Sequence, residues 1–127
     1  MARFAILRHD WPFLHWDFLV ESGNILLTWR LAIEPAYEVE IAAEQLPPHR
    51  LVYLDYEGPV SGGRGEVSNW DRGELLDFHK MGDDFDLKIA GKQISGPVRI
   101  RKTSDSSSES HFVVVFGKTG TSHEANR

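Results

Sequence analysis

The chain has 127 residues, no cysteine, and 14 lysines and arginines against 19 aspartates and glutamates, a formal net charge of −5. That length makes one domain around one core; the missing thiols exclude a disulfide framework and a thiolate zinc site, and the acidic balance argues against coating nucleic acid by bulk charge. No apolar run is long enough to span a membrane and the first charges follow Met1 too closely for a signal peptide, so a cytoplasmic protein with no membrane partner is expected.

Arg3 to Arg8 alternates as a first strand, and Asp10 to Phe13, with Pro12, reads as a turn. His15 to Glu21 is a second strand, setting His15, Asp17 and Glu21 on one face and Trp16, Phe18 and Val20 on the other. Ser22-Gly23-Asn24 suits a hairpin turn, because Gly and Asn accept positive φ at little cost, and Ile25 to Leu31 makes a third strand. Three antiparallel strands in succession open a mostly β domain.

Glu34 to Gln45 reads as loop with a short helix, although Tyr37, Val39 and Ile41 also alternate like a strand; Pro47 and Pro48 should end it, since neither donates to a ladder or continues a helix. Leu51 to Asp55 is expected as a strand, Gly58 to Gly65 as a glycine-rich loop, Glu66 to Trp70 as a strand, and Asp71-Arg72-Gly73 as a turn fixed by Asp71 and Arg72. Glu74 to His79, Phe85 to Ala90 and Gln93 to Lys102 follow as short strands. Thr103 to Ser110, with five serines in eight positions, is expected as a mobile loop, and His111 to Phe116 as a buried closing strand. Residues 1–117 then form the domain and 118–127 a frayed polar tail. About eight short strands with little helix imply a barrel or a sandwich.

Charge is unevenly distributed. Leu87 to Thr103 carries five basic residues (Lys88, Lys92, Arg99, Arg101, Lys102) and no acidic one, whereas Glu34 to Glu44 carries four glutamates and no base. The basic stretch would suit a phosphate, and both stretches equally suit ordinary solvated faces. The densest chemistry lies earlier, in His9-x5-His15-x-Asp17. If Pro12 turns the chain so that His9 approaches His15 and Asp17, two imidazoles and a carboxylate meet, a common shell for Mn, Fe and Zn. Spacing alone is as consistent with ordinary strand residues. Trp16, Phe18 and Trp29 are expected in the core, and Trp11 and Trp70 in core or rim packing rather than base stacking.

Taken in order, His9-Asp10, His15-Trp16-Asp17-Phe18, Glu21, Trp29, His49 with Tyr53, Asp55-Tyr56-Glu57-Gly58, Gly63-x-Gly65-x-Val67, Trp70-Asp71-Arg72-Gly73 and Phe85-x-Leu87-x-x-x-Gly91-Lys92-x-Ile94-x-Gly96 resemble the 3'-phosphoesterase domain of bacterial DNA ligase D, from about Phe4 to Phe116. The resemblance implies a small, closed or nearly closed antiparallel β-barrel that trims a 3'-phosphate or 3'-ribonucleotide from DNA ends in break repair, with Mn2+ as cofactor and Zn2+ or Co2+ as other candidates. Carried over, the metal ligands fall on His9, His15 and Asp17, the catalytic histidine and tyrosine on His49 and Tyr53, and an acceptor orienting the His49 side on Glu57. The implied partners are the 3' end of DNA or RNA-tipped DNA and a DNA ligase or polymerase of end joining.

This chain departs from the pattern in three places. Leu19 stands where the family has a phosphate-clamping arginine, Leu7 stands where it has a glutamine, and, with the resemblance starting at about Phe4, no counterpart of the family's amino-terminal extension is expected. A leucine cannot replace a guanidinium at a phosphate, so Arg64, Arg99 or Arg101 is expected to compensate. The departures also support a second reading, a barrel that binds metal and a nucleic-acid end or repair partner without turnover. A third, hydrolysis of a non-nucleic phosphoester, fits the acidic pI near 5.6.

Overall fold

The computed structural model describes residues 1–103 and 110–118. Alternation produces the expected hairpins: β1 (Arg3–His9), β2 (His15–Ser22) and β3 (Ile25–Leu31) pair antiparallel in sequence, and Gly23 turns the second hairpin at φ 63°. They are followed by β4 (Ile41–Arg50), a two-residue β5 (Gly58–Pro59), a 16-residue β6 (Glu66–Met81), β7 (Asp84–Gly91), β8 (Ser95–Lys102) and β9 (His111–Phe116). The strands run in the order β1-β2-β3-β4-β9-β8-β7-β6, and pairing of β6 with β1 closes them into an eight-stranded antiparallel barrel. β5 adds to β6 beside that closure. Closure gives each of the eight main strands a neighbour on both sides along part of its length.

Four expectations along the chain are corrected. No helix forms between Glu34 and Gln45; Tyr37 makes a single bridge to Phe116, and β4 begins at Ile41. β4 also runs through Pro47 and Pro48. This is tolerated because β9 accompanies β4 only from Ile41 to Glu44, leaving the later half an edge, and because the β3–β4 register slips between Leu26 and Thr28, opposite the prolines. Leu51 to Leu54 is a 3₁₀ turn rather than a strand. Asp71-Arg72-Gly73 is no turn but part of β6, which pairs with β1 from Val67 to Glu74 and with β7 from Gly73 to Met81. The strand bends through irregularities opposite Ile6/Leu7 and at Leu75/Asp77. The serine-rich loop and the polar tail fall, but for their flanking residues, on 104–109 and 119–127, outside the described residues.

Two apolar clusters result. Phe4, Ile6, Phe18, Trp29, Ile100 and Phe116 fill the barrel interior, with Trp16 among them, as expected of the strand-face aromatics. The second cluster lies on the opposite face of β1–β3, where Ala5, Leu7, Leu19 and Leu26 are covered by Leu51, Tyr53, Leu54, Tyr56 and Val60. Burying a leucine there contributes about 2 kcal/mol. The 51–60 segment is thereby held over the outer wall of the first hairpin, the wall that also carries His9, His15 and Asp17.

Candidate metal centre

His9 and His15 are opposite one another in the β1–β2 register, and Asp17, opposite Leu7, is two residues along the same face. The turn between the strands contains a cis Trp11–Pro12 peptide bond, and the two imidazoles meet edge to face with centroids 5.0 Å apart. One ligand atom from each of His9, His15 and Asp17 lies within 4.8 Å of the other two. His15 is fully buried and Asp17 is 7% exposed.

Each imidazole is oriented by its other nitrogen. His9 Nε2 donates to Arg64 O at 2.9 Å and His15 Nδ1 to Phe13 O at 2.9 Å; a carbonyl only accepts, so these nitrogens carry the ring protons. His9 Nδ1 then faces Asp17 Oδ2 at 4.0 Å, and His15 Nε2 faces Asp17 Oδ1 at 3.4 Å. Neither His15 Nε2 nor Asp17 Oδ1 has a hydrogen-bond partner, although both are buried. Lone pair confronts lone pair there, an arrangement that a metal ion bound between them would relieve. Imidazoles tied back to carbonyls beside a carboxylate are the arrangement in which a borderline divalent ion is held, so the residues present fit such an ion.

The Arg64 carbonyl is delivered by the glycine-rich loop, and here one glycine is required. Gly65 has φ 76°, and a Cβ on it would meet Asp10 Oδ1 at 2.3 Å and Trp11 Cβ at 2.6 Å. Gly65→Ala is expected to displace the loop, release His9 Nε2 and weaken binding of a divalent metal ion about tenfold to a hundredfold in calorimetric titration.

The centre opens on a cavity of about 390 Å³ whose walls include Leu7, His9, Asp17, His49, Tyr53 and Arg64. His49 Nδ1 donates to Pro47 O at 3.0 Å, leaving Nε2 as the free ring nitrogen, and its ring lies 5.7 Å from that of Tyr53. The cover over the second apolar cluster thus brings Tyr53 to the cavity, and the end of β4 just before it brings His49. Trp11, 43% exposed, is a wall residue of the cavity rather than core, and Trp70 packs against the barrel interior with Nε1 donating to Glu34 at 2.8 Å.

A model of the DNA ligase D 3'-phosphoesterase domain matches residues 7–114. The chain belongs to that family. Over 137 aligned residues it is 28% identical to the multifunctional non-homologous end joining protein LigD of Pseudomonas aeruginosa, covering 100% of this chain and 16% of that protein.

Of the candidate site residues read from the sequence, His9, Asp17, His49, Tyr53 and Arg64 line one cavity, His15 is buried beside His9 and Asp17, and three others stand elsewhere. Glu57 accepts from the Asn69 N–H at 2.7 Å and so holds β6, while Pro47 O takes the role at His49 expected of Glu57. Arg99 and Arg101 are on β8, outside the cavity wall; Arg101 pairs with Asp86 at 2.9 Å and Asp84 at 3.9 Å. The basic stretch is answered by the acidic residues beside it, with Lys102 also 3.7 Å from Asp83. The cavity draws its positive charge instead from Arg30, Arg50 and Arg64. Arg30 and Arg50 were not singled out from the sequence. The signal for Arg30 was its strand phase, since it is two residues after Thr28 on the face opposite Trp29.

Proposed function

We propose that the chain cleaves phosphoesters at the 3' ends of DNA, removing a terminal phosphate or ribonucleotide during break repair in the cytoplasm, with manganese as its metal. Membership of the phosphoesterase family supports the reaction class. The observation that carries the reading is the buried, unpartnered pair His15 Nε2 and Asp17 Oδ1 facing His9 Nδ1 beside the His49 cavity. A bound divalent ion supplies Lewis acidity toward a phosphoryl oxygen; zinc and cobalt suit the same donors.

His49, with Nδ1–H held by Pro47 O, exchanges a proton only at Nε2; that nitrogen accepts a proton as the neutral imidazole and gives it to the departing oxygen as the imidazolium. The Tyr53 phenol orients a phosphate oxygen, and the guanidinium-lined wall offsets the charge that builds up there. Hydrolysis that releases the terminal ribonucleoside leaves a 3'-phosphate, and hydrolysis of that phosphate leaves a 3'-hydroxyl end, which a DNA ligase or polymerase of end joining would accept as a partner's substrate.

The test uses the protein with manganese chloride and a primer–template ending in a 3'-phosphate or one ribonucleotide. Release of phosphate or of the terminal nucleoside is expected, with a turnover loss of about a hundredfold to ten-thousandfold in His49→Ala and manganese binding retained. Manganese binding by the wild type without cleavage under any of the three metals would leave the alternative, end binding without turnover. That alternative rests on Leu7, an apolar side chain in the cavity wall where the family pattern has a glutamine.

A further inference from the structure

We propose that Arg30 is the phosphate-gripping cation of this site, supplied by β3 in place of an arginine from β2; this rests on the phosphoesterase reading above. Arg30 is directly opposite Asp17 in the β2–β3 register and opposite Glu44 in the β3–β4 register. Such neighbours would ordinarily form ion pairs. Among the described residues Arg30 makes neither pair, and its Nε is buried without a hydrogen-bond partner. Its guanidinium carbon lies 5.7 Å from the centroid of the Phe13 ring, a contact that positions the planar group without engaging its N–H donors.

The other two cavity arginines are differently placed. Arg64 Nε and Nη2 are bound to Ser61 O at 2.7 Å and Ser61 Oγ at 3.2 Å, and Arg50 lies over the Tyr53 ring on an exposed part of the wall. Arg30 also separates the metal cavity from an apolar groove of about 380 Å³ walled by Phe13, Ala43 and Phe112. Its fork of donors, uncommitted to any carboxylate, stands next to the metal ligand Asp17. The ligand chemistry that completes such a group is a tetrahedral phosphate oxyanion, taken by two parallel N–H···O bonds. Leu19, by contrast, is fully buried in the cluster under the 51–60 cover, so β2 presents no charge to the cavity two residues beyond Asp17.

The experiment compares wild type, Arg30→Ala and Arg30→Lys. The first readout is binding of one oligonucleotide with a 3'-phosphate or a 3'-hydroxyl, by fluorescence anisotropy without divalent metal; the second is manganese titration; the third is turnover. Wild type is expected to prefer the 3'-phosphate, Arg30→Ala to lose that preference by about tenfold or more with manganese affinity unchanged, and Arg30→Lys to recover only part, since an ammonium offers charge without the fork. Where turnover is measurable, Arg30→Ala should lower kcat/KM about a hundredfold. A full 3'-phosphate preference in Arg30→Ala overturns the proposal, as does equal loss of manganese binding, which would make Arg30 a structural residue. A wild type that prefers the 3'-phosphate but never cleaves it overturns the catalytic reading and leaves Arg30's role standing.

Discussion

Asp17→Asn is expected to lower metal-dependent cleavage by on the order of a thousandfold while making the metal-free protein more stable. The two effects have one cause. In the free protein the Asp17 carboxylate is buried with Oδ1 unpartnered, 3.4 Å from an equally unpartnered His15 Nε2. An asparagine amide there removes a buried charge and offers an N–H to the imidazole, which should stabilise the metal-free fold by about 1 to 2 kcal/mol. On the proposed reading the same change also removes the anionic ligand of the metal, and a Lewis acid at a phosphoryl oxygen contributes several kcal/mol in the transition state. Thermal melts with and without manganese chloride separate the terms. Wild type should gain about 2.7 kcal/mol at roughly a hundred times its Kd, whereas Asp17→Asn should begin higher and gain almost nothing. A variant that still gains the full increment would show that manganese binds elsewhere.

Asp71→Ala is expected to be the most destabilising single change away from the metal centre, costing about 3 to 5 kcal/mol of the 5 to 15 typical of a domain. The Asp71 carboxylate is 3% exposed and accepts four backbone N–H groups: Arg72 at 2.8 Å and Lys92 at 2.9 Å on Oδ1, Gln93 and Ile94 each at 3.0 Å on Oδ2. It therefore fixes the connection between β7 and β8 from a third strand. Ile94, buried in the barrel core, depends on it for its N–H partner. Asparagine should be nearly as poor, because its NH2 would confront two of the four donors. Urea unfolding reports the loss as a lower midpoint with an unchanged slope. A change under about 1 kcal/mol would mean that water replaces the carboxylate at all four groups.

The sequence alone determined what depends on neighbours in the chain. Alternation in β1 to β3 assigns faces, Gly23 marks the hairpin, and the spacing of His9, His15 and Asp17 allows convergence as well as ordinary strand positions; the β1–β2 register then places all three on one face. It misled where strands join partners distant in the chain. Pro47 and Pro48 are tolerated only because β9 leaves β4 at Glu44, and Asp71 acts on a turn some twenty residues away rather than on its own backbone. The tertiary structure also decided which arginines meet the site. Arg99 and Arg101 had the denser local charge, but β8 pairs with β7 and its acidic residues, while the register of the β2–β3 hairpin sets Arg30 beside Asp17. Which charges become neighbours is set by strand order and register around the closed sheet, and a local sequence pattern carries neither.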